Sequence, residues 1–287
     1  MPPVRPDGNG EATLRPAVKA VLHTTGLLSP ARRLRDGAHA LVWIRHNRRF
    51  LATGGNDGLP MPPARLRQLT TASPSVEWFV ESGRAGAESI RALLEDNAVR
   101  LPTPGRLLDF GCGCGRVLRH WAATGMTVHG CDYNADLIGW CRHHLRFASF
   151  ETNDLAPPLP YPDDTFDLVY ALSVFTHLPE PLQDQWIGEM ARVLVAGGHL
   201  IVSTHGEAYR DTLTPPELGR YDAGELVVRN QAEPGSNRCG TFCSPEYVRH
   251  RFAPRFIVTE HRPRGARGNP PQDLVLLSAT EGTRQAS

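Results

Sequence analysis

The sequence lacks long apolar runs and an excess of either charge, and each absence excludes a class of protein. No segment is apolar for long enough to cross a bilayer, and the first ten residues contain no apolar stretch of the kind found in secretory signals. Lys and Arg number 31 and Asp and Glu 30, so the formal net charge is only +1. Dedicated nucleic-acid binders usually carry a strongly basic domain. We therefore expect a cytoplasmic protein without membrane contact, and the charge argues against a nucleic-acid partner.

Cysteine pairs with metal-ligand spacing are also lacking. The chain of 287 residues has six cysteines but no CxxC pair, and Cys239 and Cys243 lie far from any second ligand pair. Without a signal sequence, reduced thiols are the default for a chain of this length. We predict neither a disulfide scaffold nor a metal site.

The middle of the chain does contain a regular alternation of short apolar strands and helical segments. Strands are predicted at 106–110, 127–131, 147–151, 166–170 and 199–204. Helices are predicted at 76–97, 116–123, 135–146 and 182–195, the last with a stop at the glycine pair 197–198. This rhythm predicts βαβ units and a parallel sheet. A helix at 245–251 and strands at 255–260 and 274–279 complete the predicted domain, residues 76–287.

Two flanking regions depart from this rhythm. Residues 1–75 are predicted to form a Pro- and Gly-rich leader followed by a helical cap, with a linker or irregular cap at 54–75. Six arginines between Arg32 and Arg49 predict a solvated helical face there, with a grip on an acidic partner as the alternative. Residues 206–250 are polar and are predicted to be an insertion.

The segment LLDFGCGCGRVLRHW, residues 107–121, leads from a strand through glycines into a predicted helix. Such a loop exposes backbone N–H groups at a helix N-terminus and lets a ligand approach closely. A phosphate-binding P-loop would need Lys and Ser or Thr after its last glycine, and Arg116-Val117 supplies neither. The dinucleotide fingerprint G-x-G-x-x-G also fails, because its third glycine position holds Arg116.

The remaining pattern, Asp109 followed by alternating glycines, resembles the first motif of the class I S-adenosylmethionine-dependent methyltransferases. Later motifs of that family follow in order: GCDYN at 130–134, NDL at 153–155, DDTFDLVYALSVFTHL at 163–178 and MARVLVAGGHLIVS at 190–203. The resemblance extends from about residue 83 to the C-terminus and is sharpest over 106–205. It implies a Rossmann-like α/β fold: a seven-stranded, mostly parallel sheet with an antiparallel last strand, helices on both faces and a helical N-terminal extension.

The resemblance also implies the cofactor, S-adenosyl-L-methionine, and the product S-adenosyl-L-homocysteine. Asp132 would accept from both ribose hydroxyls, and Asp154 from the adenine amine, while Asp109 would lie near the ammonium group. Gly83 and Arg84 could close over the cofactor carboxylate, although a solvated face is an alternative for Arg84. The full set of expected cofactor-binding residues is Gly83, Arg84, Asp109, Phe110, Gly111, Cys112, Gly113, Gly115, Asp132, Tyr133, Asn153, Asp154, Leu155, Ser173 and Phe175.

His177 and His205 are the candidate catalytic residues, because they follow the fourth and fifth strands at the edge where ligands bind. For His177 two roles stay open, a general base or a wall of the cofactor pocket. Residues 269–272, NPPQ, resemble the NPP-aromatic motif of nucleobase and glutamine amino-methyltransferases, but the aromatic is missing and the preceding strand is the wrong one. We interpret them as a turn into the last strand.

We expect methyl transfer to an oxygen or nitrogen of a small-molecule acceptor, a secondary metabolite or a sugar-like compound. The N-terminal helices and the 206–250 insertion would select that acceptor. Three alternatives stay open: an RNA or protein methyltransferase that uses the basic N-terminal region, a non-catalytic cofactor-binding member of the fold, and an NAD-dependent oxidoreductase. The oligomeric state is also open, with a homodimer as one candidate.

Overall fold

The computed structural model of the chain describes residues 43–55, 57–268 and 270–280. Most of the predicted leader and cap, including Arg32, Arg33 and Arg35, lies outside these residues. Asn269 of the NPPQ segment also lies outside them. The division into two regions at residue 75 therefore stays a prediction.

A seven-stranded sheet forms the centre of the molecule. Its strands are β1 (Arg106–Phe110), β2 (Thr127–Asp132), β3 (Ala148–Thr152), β4 (Phe166–Ala171), β5 (Leu194–Thr204), β8 (Phe256–Arg262) and β9 (Asp273–Ala279). They lie in the order β3-β2-β1-β4-β5-β9-β8. Pairing is parallel from β3 to β5, and β9 runs antiparallel to both of its neighbours. The predicted sheet with its antiparallel last strand is confirmed.

Helices cover both faces of this sheet. They are α1 (Ile44–Ala52), α2 (Ala64–Thr71), α3 (Val76–Asp96), α4 (Ala135–His144), α5 (Glu180–Val193), α6 (Pro215–Asp222) and α7 (Pro245–Phe252). Successive residues of a strand point to opposite faces. In β1, accordingly, Leu107 packs in a core with α3 and α4, and Leu108 in a second core with α5 and α7. Both faces are therefore apolar, as parallel sheets require.

The long helix α3 confirms the prediction for residues 76–97. Ser75 caps its first turn, since the Ser75 hydroxyl accepts a hydrogen bond from the Trp78 amide at 3.1 Å. Phe79, Ile90 and Leu93 are fully buried on the side of α3 that faces the sheet. Burial of an apolar stripe on this scale stabilises a helix more than its intrinsic propensity does.

The helix predicted at 116–123 was wrong. The chain there forms only the short 3₁₀ turn Leu118–Trp121. The Leu118 and Trp121 side chains pack in the core that α3 covers, so α3 occupies the face that a longer helix would need. The predicted stop at 197–198 was also wrong, because β5 already begins at Leu194, where it pairs with Phe166.

The insertion and the predicted linker both contain regular structure. Within 206–250 lie a 3₁₀ turn (Glu207–Thr212), α6 and the two antiparallel strands β6 (Val227–Arg229) and β7 (Gly240–Phe242). The linker predicted at 54–75 holds α2. Among the helices of the described ranges, none has the length and apolar character that a membrane span would need.

Candidate functional site

The glycine loop lies at the carboxyl edge of the sheet, between the ends of β1 and β2. The amides of Gly111 and Cys112 donate to the carbonyl of Cys131 at 2.8 and 2.9 Å, which fixes the loop to β2. Gly113 has a φ of 56°, and a Cβ placed there would lie 2.8 Å from the Thr70 methyl group of α2. Both the backbone conformation and the space at this position therefore require glycine.

Asp132 ends β2 and binds the glycine loop directly. Its Oδ2 accepts from the Gly113 amide at 3.0 Å, and its Oδ1 from the Asn134 amide at 2.8 Å. Burial raises the pKa of the Asp132 carboxyl, and these two amides oppose that rise. A carboxylate has about four acceptor positions, so this one retains capacity for two further donors.

Asp109 lies beneath the loop, in the buried layer between β1 and β4. The Tyr170 hydroxyl donates to its Oδ2 at 2.8 Å, and only 4% of the residue is exposed. Burial raises the pKa of Asp109 to about 7, against the opposing effects of the Tyr170 hydrogen bond and the Arg116 charge. Its observed contacts thus tie β1 to β4, and a contact with a cofactor ammonium group stays a prediction.

A segment of the insertion, residues 230–239, crosses the carboxyl ends of β2, β3 and β4; we call it the strap. The Tyr133 hydroxyl donates to the Gly235 carbonyl at 3.1 Å, and the Gly235 amide donates to the His177 carbonyl at 2.8 Å. A Cβ at Gly235 would lie 2.6 Å from Leu155 Cδ1. Sequence reasoning missed the strap, and the one signal for it was the Pro-Gly pair at 234–235, which is typical of a turn.

Asn153 and Asp154 follow β3 and line an open cavity of about 330 Å³ with Thr152 and residues 158–160. The side-chain Nδ2 of Asn153 donates to the Asp154 carbonyl at 2.7 Å. The side-chain Oδ1 of Asn153 is buried and accepts no hydrogen bond from the residues that the structure describes. A buried acceptor without a donor is costly, so this oxygen is suited to a donor on a ligand.

The two candidate histidines lie side by side, with ring centroids 6.2 Å apart. Nδ1 of His177 is 2.6 Å from the Cys239 carbonyl, and Nδ1 of His205 is 3.1 Å from the Thr241 carbonyl. Carbonyls only accept, so both rings carry a proton on Nδ1, and in the neutral form of each ring Nε2 is unprotonated. Burial lowers the pKa of His177 and that of His205, the latter to about 4 with a contribution from the neighbouring His177.

Two aromatic members of the predicted cofactor set point into the core. Phe110 packs against Trp186 with ring centroids 4.5 Å apart, and Phe175 against Phe252 at 5.7 Å. Both are nearly fully buried on the α5 and α7 face. Only the backbone of these two residues lies at the edge of the sheet. Ser173 adopts a left-handed φ of 58° after β4, where its hydroxyl is bonded to Gln272.

Gly83 and Arg84 lie inside α3 rather than ahead of a helix. A Cβ at Gly83 would collide with the Arg116 carbonyl, which explains the glycine by close packing. The Arg84 side chain is about half exposed and pairs with Glu81 and Glu88 of the same helix. The solvated-face alternative therefore describes Arg84, and we do not retain it as a cofactor ligand.

Cys112 and Cys114 are buried within the loop. The Cys114 thiol lies 3.2 Å from the Thr70 hydroxyl, and burial raises its pKa to about 12. Burial raises the pKa of Cys112 well above its usual value too. Nowhere in 43–55, 57–268 or 270–280 do three or more His, Cys, Asp or Glu side chains form a group that could hold a metal ion.

Comparisons with known proteins identify a methyltransferase domain in the part of the chain that contains the glycine loop. Residues 108–202 match the family model described as a methyltransferase domain. The methyltransferase GfsG from Streptomyces halstedii is 34% identical over 136 residues, which are 45% of this chain and 46% of that protein. The 27-O-demethylrifamycin SV methyltransferase from Amycolatopsis mediterranei is 38% identical over 154 residues, which are 50% and 51%. The chain thus spans about half the length of these curated relatives.

A solved S-adenosylmethionine-dependent methyltransferase from Mesorhizobium loti has the same fold. It superposes with a TM-score of 0.51 at 19% identity, over 67% of this chain and all of that one. Three findings agree with one another: the strand order, the hydrogen bond between the glycine loop and Asp132, and the family-model match. The chain therefore contains a methyltransferase domain at residues 108–202, and it is similar in sequence to known methyltransferases and in fold to an S-adenosylmethionine-dependent one.

Proposed function

We propose that this protein transfers a methyl group from S-adenosyl-L-methionine to an oxygen or nitrogen of a small-molecule acceptor. The observation that carries the proposal is the hydrogen bond between Gly113 and Asp132, which joins the glycine loop and the acid at the end of β2 into one unit. That unit lies at the carboxyl edge, where open α/β sheets bind their ligands.

The donor groups of the cofactor fit the acceptors found there. The two ribose hydroxyls match the spare acceptor positions of Asp132, and the adenine amine matches the Oδ1 of Asn153. Tyr133 and Leu155 lie at Gly235 of the strap and offer aromatic and apolar surface there. When bound, S-adenosyl-L-methionine supplies a methyl carbon that is already activated by its sulfonium sulfur.

The chain must then align an acceptor and, for an oxygen acceptor, take up its proton. The unprotonated Nε2 of His177 can accept that proton, because the Cys239 carbonyl holds the ring in the required tautomer. The lowered pKa of His177 keeps the ring neutral at pH 7, and a neutral ring is ready to act as a base. Alignment itself supplies much of the rate enhancement in a displacement of this kind.

The insertion and the relatives support the proposed acceptor class. β7 supplies the carbonyl that orients His205, and the Thr241 hydroxyl of β7 donates to the Phe175 carbonyl at 2.8 Å. The insertion is therefore built onto the edge beside the candidate base. The Amycolatopsis relative is named for a demethylrifamycin and a 27-O position. We infer that hydroxylated secondary metabolites are acceptors of this chain.

Calorimetry with S-adenosyl-L-homocysteine and with NAD tests the cofactor assignment. We expect micromolar binding of the former and none of the latter. Methyl-labelled S-adenosyl-L-methionine is then incubated with panels of phenols, hydroxylated polyketides and amines. Transfer of the label to a hydroxyl or amine supports the proposal. Binding of NAD in place of S-adenosyl-L-homocysteine would overturn it.

A further inference from the structure

Gln272 connects the ends of β4 and β5 through one side-chain amide. It directly precedes β9, and only 1% of the residue is exposed. Its Oε1 accepts from the Ser173 hydroxyl at 2.9 Å and from the Ser203 hydroxyl at 2.8 Å. The Ser203 hydroxyl in turn accepts from the Ser173 amide at 2.7 Å. The left-handed turn at Ser173 is thus held from both its backbone and its side chain.

These contacts also determine which end of the amide faces His205. Since the oxygen of Gln272 accepts two hydroxyl protons, its NH₂ group is the end that lies 3.4 Å from Nε2 of His205. An N–H group can approach Nε2 favourably only if that nitrogen is unprotonated. The Thr241 carbonyl at Nδ1 imposes the same tautomer from the other side of the ring.

The charged and titratable neighbours of His205 do not stabilise a positive charge on its ring. His177 faces it from the turn after β4, and Tyr209 from the 3₁₀ turn, with ring centroids at 6.2 and 4.4 Å. The Asp273 carboxylate lies under Gly206 but is already paired with His261 at 2.9 Å and with the Arg264 amide at 3.0 Å. No carboxylate among the described residues forms an ion pair with the His205 ring.

We propose that Gln272 is a positioning residue for the methyl transfer proposed above: its amide holds His205 as a neutral Nδ1–H imidazole and fixes Ser173, which leaves His177 as the working base. The catalytic role of Gln272 rests on the proposed function, whereas its contact with His205 does not depend on that function. The proposal gives Gln272 a role beyond that of a residue in a turn. The low pKa of His205, about 4, agrees with a ring that stays neutral.

The first test is nitrogen NMR of the histidine rings in the unmodified protein between pH 5 and 8. We expect His205 to show an unprotonated Nε2 throughout this range, with no titration step. A His205 ring that titrates near its ordinary pKa of about 6.5 would overturn the inference. The measurement needs neither cofactor nor acceptor, so a failure of the proposed function would not affect it.

The second test uses Gln272→Glu, which keeps the shape of the side chain but replaces the NH₂ donor by a carboxylate oxygen. We expect the His205 ring to become protonated over most of pH 5 to 8. A second titration step should then appear in the pH profile of kcat/KM, and kcat should fall by roughly tenfold with little change in the KM for the cofactor. An unchanged His205 spectrum in this variant would also contradict the proposal.

Gln183→Glu is the matched control. Gln183 is equally buried, but its amide donates to the carbonyls of Phe175 and Leu178 and accepts from the Tyr247 hydroxyl. This variant carries the same cost of a buried carboxyl without a contact to His205. Its His205 signal should match that of the unmodified protein, and a shift equal to that of Gln272→Glu would show that burial of any carboxyl suffices.

Discussion

The carboxyl edge of the sheet has two halves: a cofactor half around Asp132 and the glycine loop, and an acceptor half around His177, His205 and Ser173. The two halves differ in how far apart in sequence their contacting residues are. On the cofactor half, Asp132 binds a loop amide only 19 residues away. On the acceptor half, the His177 ring is held by a carbonyl 62 residues away, and Ser173 by a side chain 99 residues away. The contact between Asp132 and Gly113 forms within one strand-turn-strand unit, whereas the contacts of the acceptor half exist only once the insertion and β9 are in place. The two halves should therefore respond separately to substitution.

The largest effect is expected for His177→Gln on the acceptor half. Loss of the base should lower kcat toward an oxygen acceptor by roughly a thousandfold, since general bases contribute about 10² to 10⁴. Affinity for S-adenosyl-L-homocysteine, measured by calorimetry, should stay within about twofold. In the unmodified protein, kcat should rise with pH through a pKa below 6.5. His143→Gln, on the exposed end of α4, is the control. A joint loss of kcat and cofactor affinity would show that the halves are not separable.

Asp132→Ala should produce the converse result on the cofactor half. Removal of a carboxylate that organises the loop and accepts ligand hydroxyls should weaken S-adenosyl-L-homocysteine binding by about a hundredfold, or roughly 3 kcal/mol. Asp136→Ala removes a nearby exposed carboxylate that pairs with Arg65, and it should change the affinity little. If the two variants bound the ligand equally well, the assignment of Asp132 to the cofactor would be wrong.

Gly235→Ala tests whether the strap joins the two halves. The added methyl would meet Leu155 in a backbone conformation with φ of 75°, so the strap should be displaced. We expect S-adenosyl-L-homocysteine to dissociate about tenfold faster in stopped-flow measurements. Gly197→Ala is the matched control, because Gly197 has a φ of 73° with open space around it. Equal dissociation rates in the two variants would leave the strap without a role in cofactor retention.

The smallest effect concerns stability against pH. The unfolded state takes up a proton at His205 below about pH 6.5, while the folded state resists until about pH 4, so this residue destabilises the fold as pH falls through that window. Asp109 acts in the opposite direction: its folded pKa of about 7 exceeds its unfolded value, so its contribution is lost as pH rises from about 4 to 7.

Urea unfolding of His205→Gln between pH 4 and 7 separates the contribution of His205 to the pH dependence of stability from that of Asp109. Between pH 7 and pH 4, the free energy of unfolding should decrease by about 1 to 3 kcal/mol less in the variant than in the unmodified protein. An identical pH dependence in the two proteins would mean that His205 is not held neutral. It would then also weaken the inference about Gln272.

The cofactor half and the acceptor half also differ in how much of each could be predicted from the sequence. The glycine loop, Asp132 and the alternation of strands and helices were predictable because each depends on a short motif or on local periodicity. The short turn at 118–121 was not, because α3, which precedes β1, takes the face that a helix would fill. Nor could the burial of Phe110 and Phe175 be read from motifs, since the face of a residue near a strand end is set by packing.

On the acceptor half, Gln272 carries no local signal of its contacts, and Gly235 carries only the signal of a turn. Gln272 stood in a segment interpreted as a turn, and Gly235 in a polar insertion; their importance comes from partners that are distant in sequence. The two histidines were found from their position after β4 and β5. Their tautomers depend on Cys239 and Thr241, whose carbonyls no sequence pattern could assign.

The position of β9 has a consequence for how the protein is made. Although β9 is the last strand in chain order among the described residues, it lies inside the sheet, between β5 and β8. Synthesis proceeds from the N-terminus, so the glycine loop and Asp132 leave the ribosome more than 130 residues before Gln272 does. A nascent chain can therefore complete its cofactor half while β5 still has an open edge. The acceptor half is assembled only when β9 closes that edge.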